Sequence, residues 1–152
     1  MICSKRAQLK KSVDKEILVY LCIMEKYDKT VLELILPEGI LDCFEVTKVE
    51  EGQNEKAKKE LEKKLFPKML YVYLDELDNR EEGEKMLRPN GFTEATIVKD
   101  YPVRNRKLVL YIRRRRYLNS EGKNVILNRY VLATPGTQAS VEYGVFFKGG
   151  LG

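Results

Sequence analysis

KLVLYIRRRRYL, Lys107 to Leu118, is the stretch on which the reading of this chain turns. Counted at a period of two, Leu108, Leu110, Ile112 and Leu118 fall on one side of an extended chain. Lys107, Val109, Tyr111, Arg113, Arg115 and Tyr117 fall on the other. The run therefore predicts one long strand, apolar toward a core and cationic and aromatic toward solvent. Arg114 and Arg116 land on the apolar side by the same count, so either the core ends near Ile112 or a bulge shifts the register.

Downstream, Asn119-Ser120-Glu121-Gly122-Lys123 is turn chemistry, and Val125 to Leu132 reads as the returning strand of a hairpin. Pro135-Gly136 then closes the sheet, and Thr137 to Phe147 is expected to be a terminal helix. Upstream, Thr96 to Val98 and Leu70 to Leu74 (LYVYL) read as strands, separated by the turn signal Pro89-Asn90-Gly91. Between 51 and 68, alternating charges with few apolar anchors read as a solvated helix or a mobile insertion.

The N-terminal third is helical by pattern. Ile17, Leu21, Met24, Leu32 and Leu36 recur at helical spacing over residues 5 to 36, and Pro37 ends the run. Glu38 to Phe44 predicts a second short helix turning Ile40, Leu41 and Phe44 inward, and Phe44, Val46 and Val49 a brief strand. The expected fold is α+β: N-terminal helices, a small antiparallel sheet of three to five strands including the basic one, and a C-terminal helix packed on the sheet. Residues 1–30 are expected to be a helical extension, 31–148 the domain and 149–152 a tail.

Composition narrows the chemistry. At 152 residues, 43% hydrophobic and 34% charged, the chain can bury one ordinary core. It has no histidine, which removes Ser-His and Cys-His nucleophile systems. Cys3, Cys22 and Cys43 lack the close paired spacing of a zinc site, and an odd set of thiols fits a reducing compartment. We therefore expect no metal, no cofactor and no catalytic residues. The longest apolar run, Ile17 to Met24, is too short to span a bilayer, so no membrane is expected and the cytoplasm is the expected location.

Charge is unevenly spread around a net +5. Glu50 to Lys85 carries eleven acidic residues against eight basic, whereas Lys99 to Arg129 carries ten basic against two acidic, Asp100 and Glu121. Four consecutive arginines repel one another, and the planar fork of each can grip phosphate or a guanine edge. The candidate nucleic-acid-binding set is Arg104, Arg106, Lys107, Tyr111, Arg113, Arg114, Arg115, Arg116, Tyr117, Lys123 and Arg129. The plainer alternative is that these arginines pair with the acidic segment Glu50 to Glu84, or solvate an exposed hairpin. Asp100 with Glu121-Gly122-Lys123 superficially matches the carboxylate pattern of metal-dependent nucleases, but Glu121 is expected in a turn.

Several short pieces, in order, carry a resemblance: Leu36 to Asp42 (LPEGILD) with Phe44 to Thr47, Asn90-Gly91-Phe92, Ile97 to Pro102 (IVKDYP) with Val103-Arg104, Arg113 to Tyr117, and Gly136-Thr137 leading to Phe146-Phe147-Lys148. Over about residues 31 to 148 the chain resembles the N-terminal region family of bacterial insertion-sequence transposases. The resemblance implies a non-catalytic region that precedes an acidic-triad catalytic domain and assists recognition of terminal inverted repeats in DNA. It makes a separately encoded transposase catalytic subunit an alternative partner, and two-fold element ends suit a homodimer. A general RNA-binding protein is a third reading. The hairpin block looks like a zinc ribbon without its cysteines, so packing of Leu110, Ile112, Ile126 and Leu132 would replace the metal. Tyr101 and Tyr117 stand where Phe and Trp are expected, Asn105 where Gly is, and Gln138 where a basic residue is.

Overall fold

The computed structural model describes residues 29 to 149. The chain separates into two compact units, Met1–Ile35 and Leu36–Gly152. In the first, residues 29–35 are helical, within the helix expected over 5–36; residues 5–28 of that expectation lie outside the described residues. The second unit, which begins inside the domain expected over 31–148, holds the sheets.

It opens with helix α1 (Ile40–Cys43), entered through Gly39 at φ 73°, and runs directly into strand β1 (Phe44–Gln53). Helix α2 (Glu60–Leu65) leads to β2 (Lys68–Glu76). A 3-10 turn at Glu82–Glu84, closed by a capping box, precedes β3 (Arg88–Phe92) and β4 (Thr96–Val103). Strands β5 (Arg106–Arg113), β6 (Arg115–Leu118) and β7 (Asn124–Val125) follow, then helix α3 (Val141–Gly149). The fold is α+β.

The strands form two sheets, a four-stranded one in the order β1-β2-β5-β4 and a three-stranded one in the order β3-β6-β7. β2 and β5 run parallel, Lys68 opposite Arg106 through Asp75 opposite Arg113, so the larger sheet is mixed rather than antiparallel as expected. Both central strands are apolar on both faces, MLYVYL and LVLYI, as interior strands are, while the edge strands β1 and β4 are interrupted by charges. A parallel neighbour requires the chain to return to the same end of the sheet. Here it returns through β3 and β4, not through a helix.

One face of this sheet is the core. Val72 opposite Leu110, Leu74 opposite Ile112 and Val98 opposite Leu110 are all 0% exposed, and Leu108 on the same face of β5, with Ile40 and Phe44, is buried at 1%. Each such side chain contributes about 1.5–3 kcal/mol of burial. The edge of β4 is covered by the segment before α3: Lys99 N–H donates to Gln138 O and Ser140 N–H donates to Lys99 O, at 2.6 and 2.8 Å. Helix α3 can lie close only because residue 144 is glycine; a Cβ there would stand 2.1 Å from Thr134 Oγ1.

Several expectations are corrected. The single strand Lys107 to Leu118 is two, broken at Arg114, where the chain leaves the large sheet for the small one. Alternation therefore holds only to Ile112. Tyr117, expected on the solvent side, is 0% exposed. Pro89-Asn90-Gly91 is not a turn but the middle of β3, where the register against β6 shifts between Pro89 and Phe92 and Gly91 takes φ 71°. This is a glycine bulge, which an L side chain would strain. β1 runs on to Gln53, so the stretch 51–68 is strand end, loop, α2 and the first residue of β2. The returning strand is two residues long, and Ile126 is 39% exposed, so Leu110, Ile112, Ile126 and Leu132 do not form one core. The terminal helix starts at Val141, not Thr137.

Candidate nucleic-acid interface

The acidic end of β2 and the chain after it face the arginine run. Arg113 donates two hydrogen bonds to Asp75, at 2.7 and 2.6 Å, because the parallel register sets the two residues side by side. Asp75 thereby raises the Arg113 pKa. Arg114 donates to Glu76 Oε1 at 3.3 Å and to the Tyr130 carbonyl. The Arg115 backbone N–H donates to Glu76 Oε2 at 2.8 Å, and its Nε to the Glu76 carbonyl at 3.1 Å. Phe92 lies beneath both Arg113 and Arg115, each guanidinium 4.9 Å from the ring centre.

The remaining cations of the candidate set are largely committed in the same way. Arg106 pairs with Glu51 and Lys107 with Glu62, holding both carboxyls below the usual range. Arg129 bridges Glu81 and Glu84, and its Nε donates to Asn79 O at 2.9 Å. These are the arginine pairings with the Glu50 to Glu84 segment that the plainer alternative described. Lys123 meets only Glu121, at 3.2 Å with both side chains mostly in water, a contact of about 0–1 kcal/mol.

The aromatic members are engaged within the chain too, Tyr111 half-buried on the sheet face opposite the core and Tyr117 fully buried. Tyr111 stacks on Tyr73 with ring centres 5.0 Å apart. Tyr117 Oη donates to Asn79 Oδ1 at 2.9 Å or Asp78 Oδ1 at 3.2 Å, and burial raises its pKa. A phenol with no exposed surface cannot pack on a sugar or base, so the role expected for Tyr117 is corrected to core support.

Two arginines stand apart. Arg104 is exposed at the tip of the β4–β5 hairpin with φ 58°, a left-handed conformation taken one residue before the Asn105 position where glycine was expected. Arg116 is the member of the run whose side chain makes neither an ion pair nor a hydrogen bond among the described residues; its Nε is shielded from solvent and has no hydrogen-bond partner. It lies opposite the β3 bulge, its NH2 3.7 Å from where a Gly91 Cβ would sit. The register makes its neighbours clear. Arg88 pairs with Leu118 and Asn124 pairs with Leu118, so these side chains share the face that Arg116 occupies, opposite the face of Tyr117. Asn90 joins them, since its Nδ2 donates to Asn124 Oδ1 at 2.7 Å. Arg88 and Asn90 were missed in the sequence because Pro89-Asn90-Gly91 reads as a turn, and Asn124 because it falls between the expected turn and the expected returning strand.

The nuclease-like pattern does not assemble. Asp100 lies on β4, 5% exposed and accepting from Ser140 Oγ at 2.7 Å, while Glu121 sits in the turn after β6. Among the described residues no three His, Cys, Asp or Glu side chains converge on a metal position, and no helix is long and apolar enough to cross a membrane. No family model, curated protein or solved structure matches the chain.

Proposed function

We propose that this chain is the non-catalytic, DNA-binding region of an insertion-sequence transposase, acting in the bacterial cytoplasm to help recognise the element's terminal inverted repeats. The observation that carries the reading is the outer face of β3-β6-β7. After the internal ion pairs are drawn, Arg88 and Arg116 remain there without a carboxylate partner among the described residues, and Asn90, Leu118 and Asn124, which share the face, carry no acidic side chain.

The transposase resemblance is consistent with how the matched pieces meet. Phe92 of Asn90-Gly91-Phe92 lies under Arg113 and Arg115, and Gly91 lies beside Arg116. Phe44 packs edge-on against Tyr130, whose hydroxyl donates to the Glu38 carbonyl at 2.8 Å. Segments far apart in sequence are thus parts of one unit. Cys43 is a free thiol, as a reducing cytoplasm allows.

The test is binding of the purified chain to the element's own terminal repeat and to a scrambled duplex across a salt series. Two to four neutralised phosphates give a slope of log affinity against log salt of about 2 to 4. Salt-sensitive binding that prefers the repeat supports the reading. No binding of either duplex at low salt overturns it and moves the partner to the transposase catalytic subunit.

A further inference from the structure

We infer that the outer face of β3 and β6 is a base-reading ribbon for the major groove of duplex DNA, an assignment that rests on the DNA-binding function proposed above. Four polar side chains share the face: Arg88 and Asn90 from β3, Arg116 from β6 and Asn124 from β7. The hydrocarbon of Leu118 lies among them, half-buried. The same strands bury Tyr117 and stack Phe92 under two arginines on their inner side, so the ribbon is held rigidly from behind.

Three features fix the partner. The first is size: three strands about 4.8 Å apart span about 10 Å, within a major groove about 12 Å wide, whereas the A-form major groove of duplex RNA is too deep and narrow to be read by side chains. The second is chemistry. Arginine matches the two acceptors on the guanine edge, asparagine the donor and acceptor on the adenine edge, and an aliphatic group the thymine methyl. A face built to hold phosphate alone would carry lysines and arginines, not a hydrogen-bonded pair of asparagines. The Asn90–Asn124 bond also holds both amides in place before any ligand arrives.

The third is Arg116 itself. Its three neighbours in the run are tied to Asp75 and Glu76, but its own Nε is shielded and unpaired. A shielded N–H without an acceptor costs about 1–3 kcal/mol, so the site holds Arg116 at a cost, while no hydrogen bond or ion pair among the described residues commits the rest of its guanidinium, which is left to meet an incoming acceptor pair. The bulge at Gly91 lies beside it, the glycine serving the left-handed backbone there, φ 71°.

The experiment presents the full chain with a pool of duplex DNA randomised at its centre, sequences the retained fraction, and repeats this with Arg116→Met, Arg88→Met and Asn90→Ala. Thermal unfolding of each variant accompanies the selection, and methionine keeps the aliphatic packing of arginine. The expected result is a consensus for the unaltered chain that each variant relaxes at a single base pair, with discrimination there falling about 5- to 150-fold. If the unaltered chain selects a consensus and the variants, equally folded, select the same one, the ribbon assignment falls while DNA binding stands. Weakening that is uniform over all sequences also overturns it, since phosphate contact alone would account for that. If the unaltered chain retains no duplex at low salt, both readings fall.

Discussion

Replacing Glu76 by alanine should destabilise the second unit far more than replacing Arg113, the most exposed of the arginines tied to the same strand end. Glu76 is 1% exposed and accepts three hydrogen bonds: from Arg114 at 3.3 Å, from Asn79 Nδ2 at 3.2 Å and from the Arg115 backbone at 2.8 Å. Its ion partner Arg114 is only 14% exposed. Removing one member of such a buried pair leaves an uncompensated charge, which costs about 3–5 kcal/mol. Arg113 offers the contrast: its bond to Asp75 is bidentate, yet its side chain is 47% exposed, so water screens it and Arg113→Ala should cost about 1 kcal/mol or less. A unit of this size loses roughly 3–4 °C per kcal/mol, so Glu76→Ala should lower Tm by about 10–20 °C. Glu76→Gln keeps the shape and weakens charge-assisted bonds, for about 1.5–3 kcal/mol. Glu76→Leu combined with Arg114→Met leaves no stranded charge and should be close to neutral. Calorimetry with urea unfolding at neutral pH measures all four together with the singles Glu76→Leu and Arg114→Met. A Glu76→Ala shift under about 3 °C, or a double variant whose loss is the sum of the singles, would refute the reasoning.

Three further outcomes follow from single sites. Burial holds the Asp100 carboxyl above its usual pKa, so its contribution is most favourable below the unfolded value near 3.9 and declines as pH rises through the folded one; the Tm of Asp100→Asn relative to the unaltered chain should therefore grow between pH 4 and 7. A gap that shrinks with pH would contradict this. Tyr130 is pushed up to about 12 by burial, so stability it supplies below pH 10 should be lost between pH 10 and 12, and Tyr130→Phe should flatten the Tm profile across that window. Gly144→Ala, although alanine favours helices by about 1 kcal/mol, should loosen α3 by driving its new Cβ into Thr134, seen as faster amide exchange over Val141–Gly149; unchanged protection would show that Thr134 yields freely.

What the sequence showed was local, and what it hid was long-range. Leu108, Leu110 and Ile112 declared their common face because a period of two survives in any strand with one buried side. The turn after β6 declared itself because Gly122 takes φ 75° and Asn119 accepts from Glu121 and Lys123. The break at Arg114 was masked, since a run of identical residues carries no periodicity to lose. Pro89-Asn90-Gly91 has the composition of a turn, and the bulge uses the same positive φ for a different purpose. The parallel pairing of β2 and β5 left no local mark beyond their two-sided apolarity, and it is this pairing that sets Asp75 beside Arg113.

The placement of the strand break explains why the four arginines have different work. Arg113 is the last residue of β5 and reaches across the large sheet; Arg115 opens β6 and reaches back to the β2 terminus with its backbone and side chain; Arg114, between them, points into the gap and meets Glu76 and Tyr130. One acidic strand end thus ion-pairs two arginines, holds the third through its backbone N–H and the Glu76 carbonyl, and clamps the two sheets at their junction. Arg116 is one residue too far along β6 to reach that end, and alternation turns it to the opposite face. A run that was cationic only to bind a ligand would leave all four free, and one that was purely structural would leave none. The split of three to one is the arrangement expected when the same strand both joins two sheets and presents a recognition face.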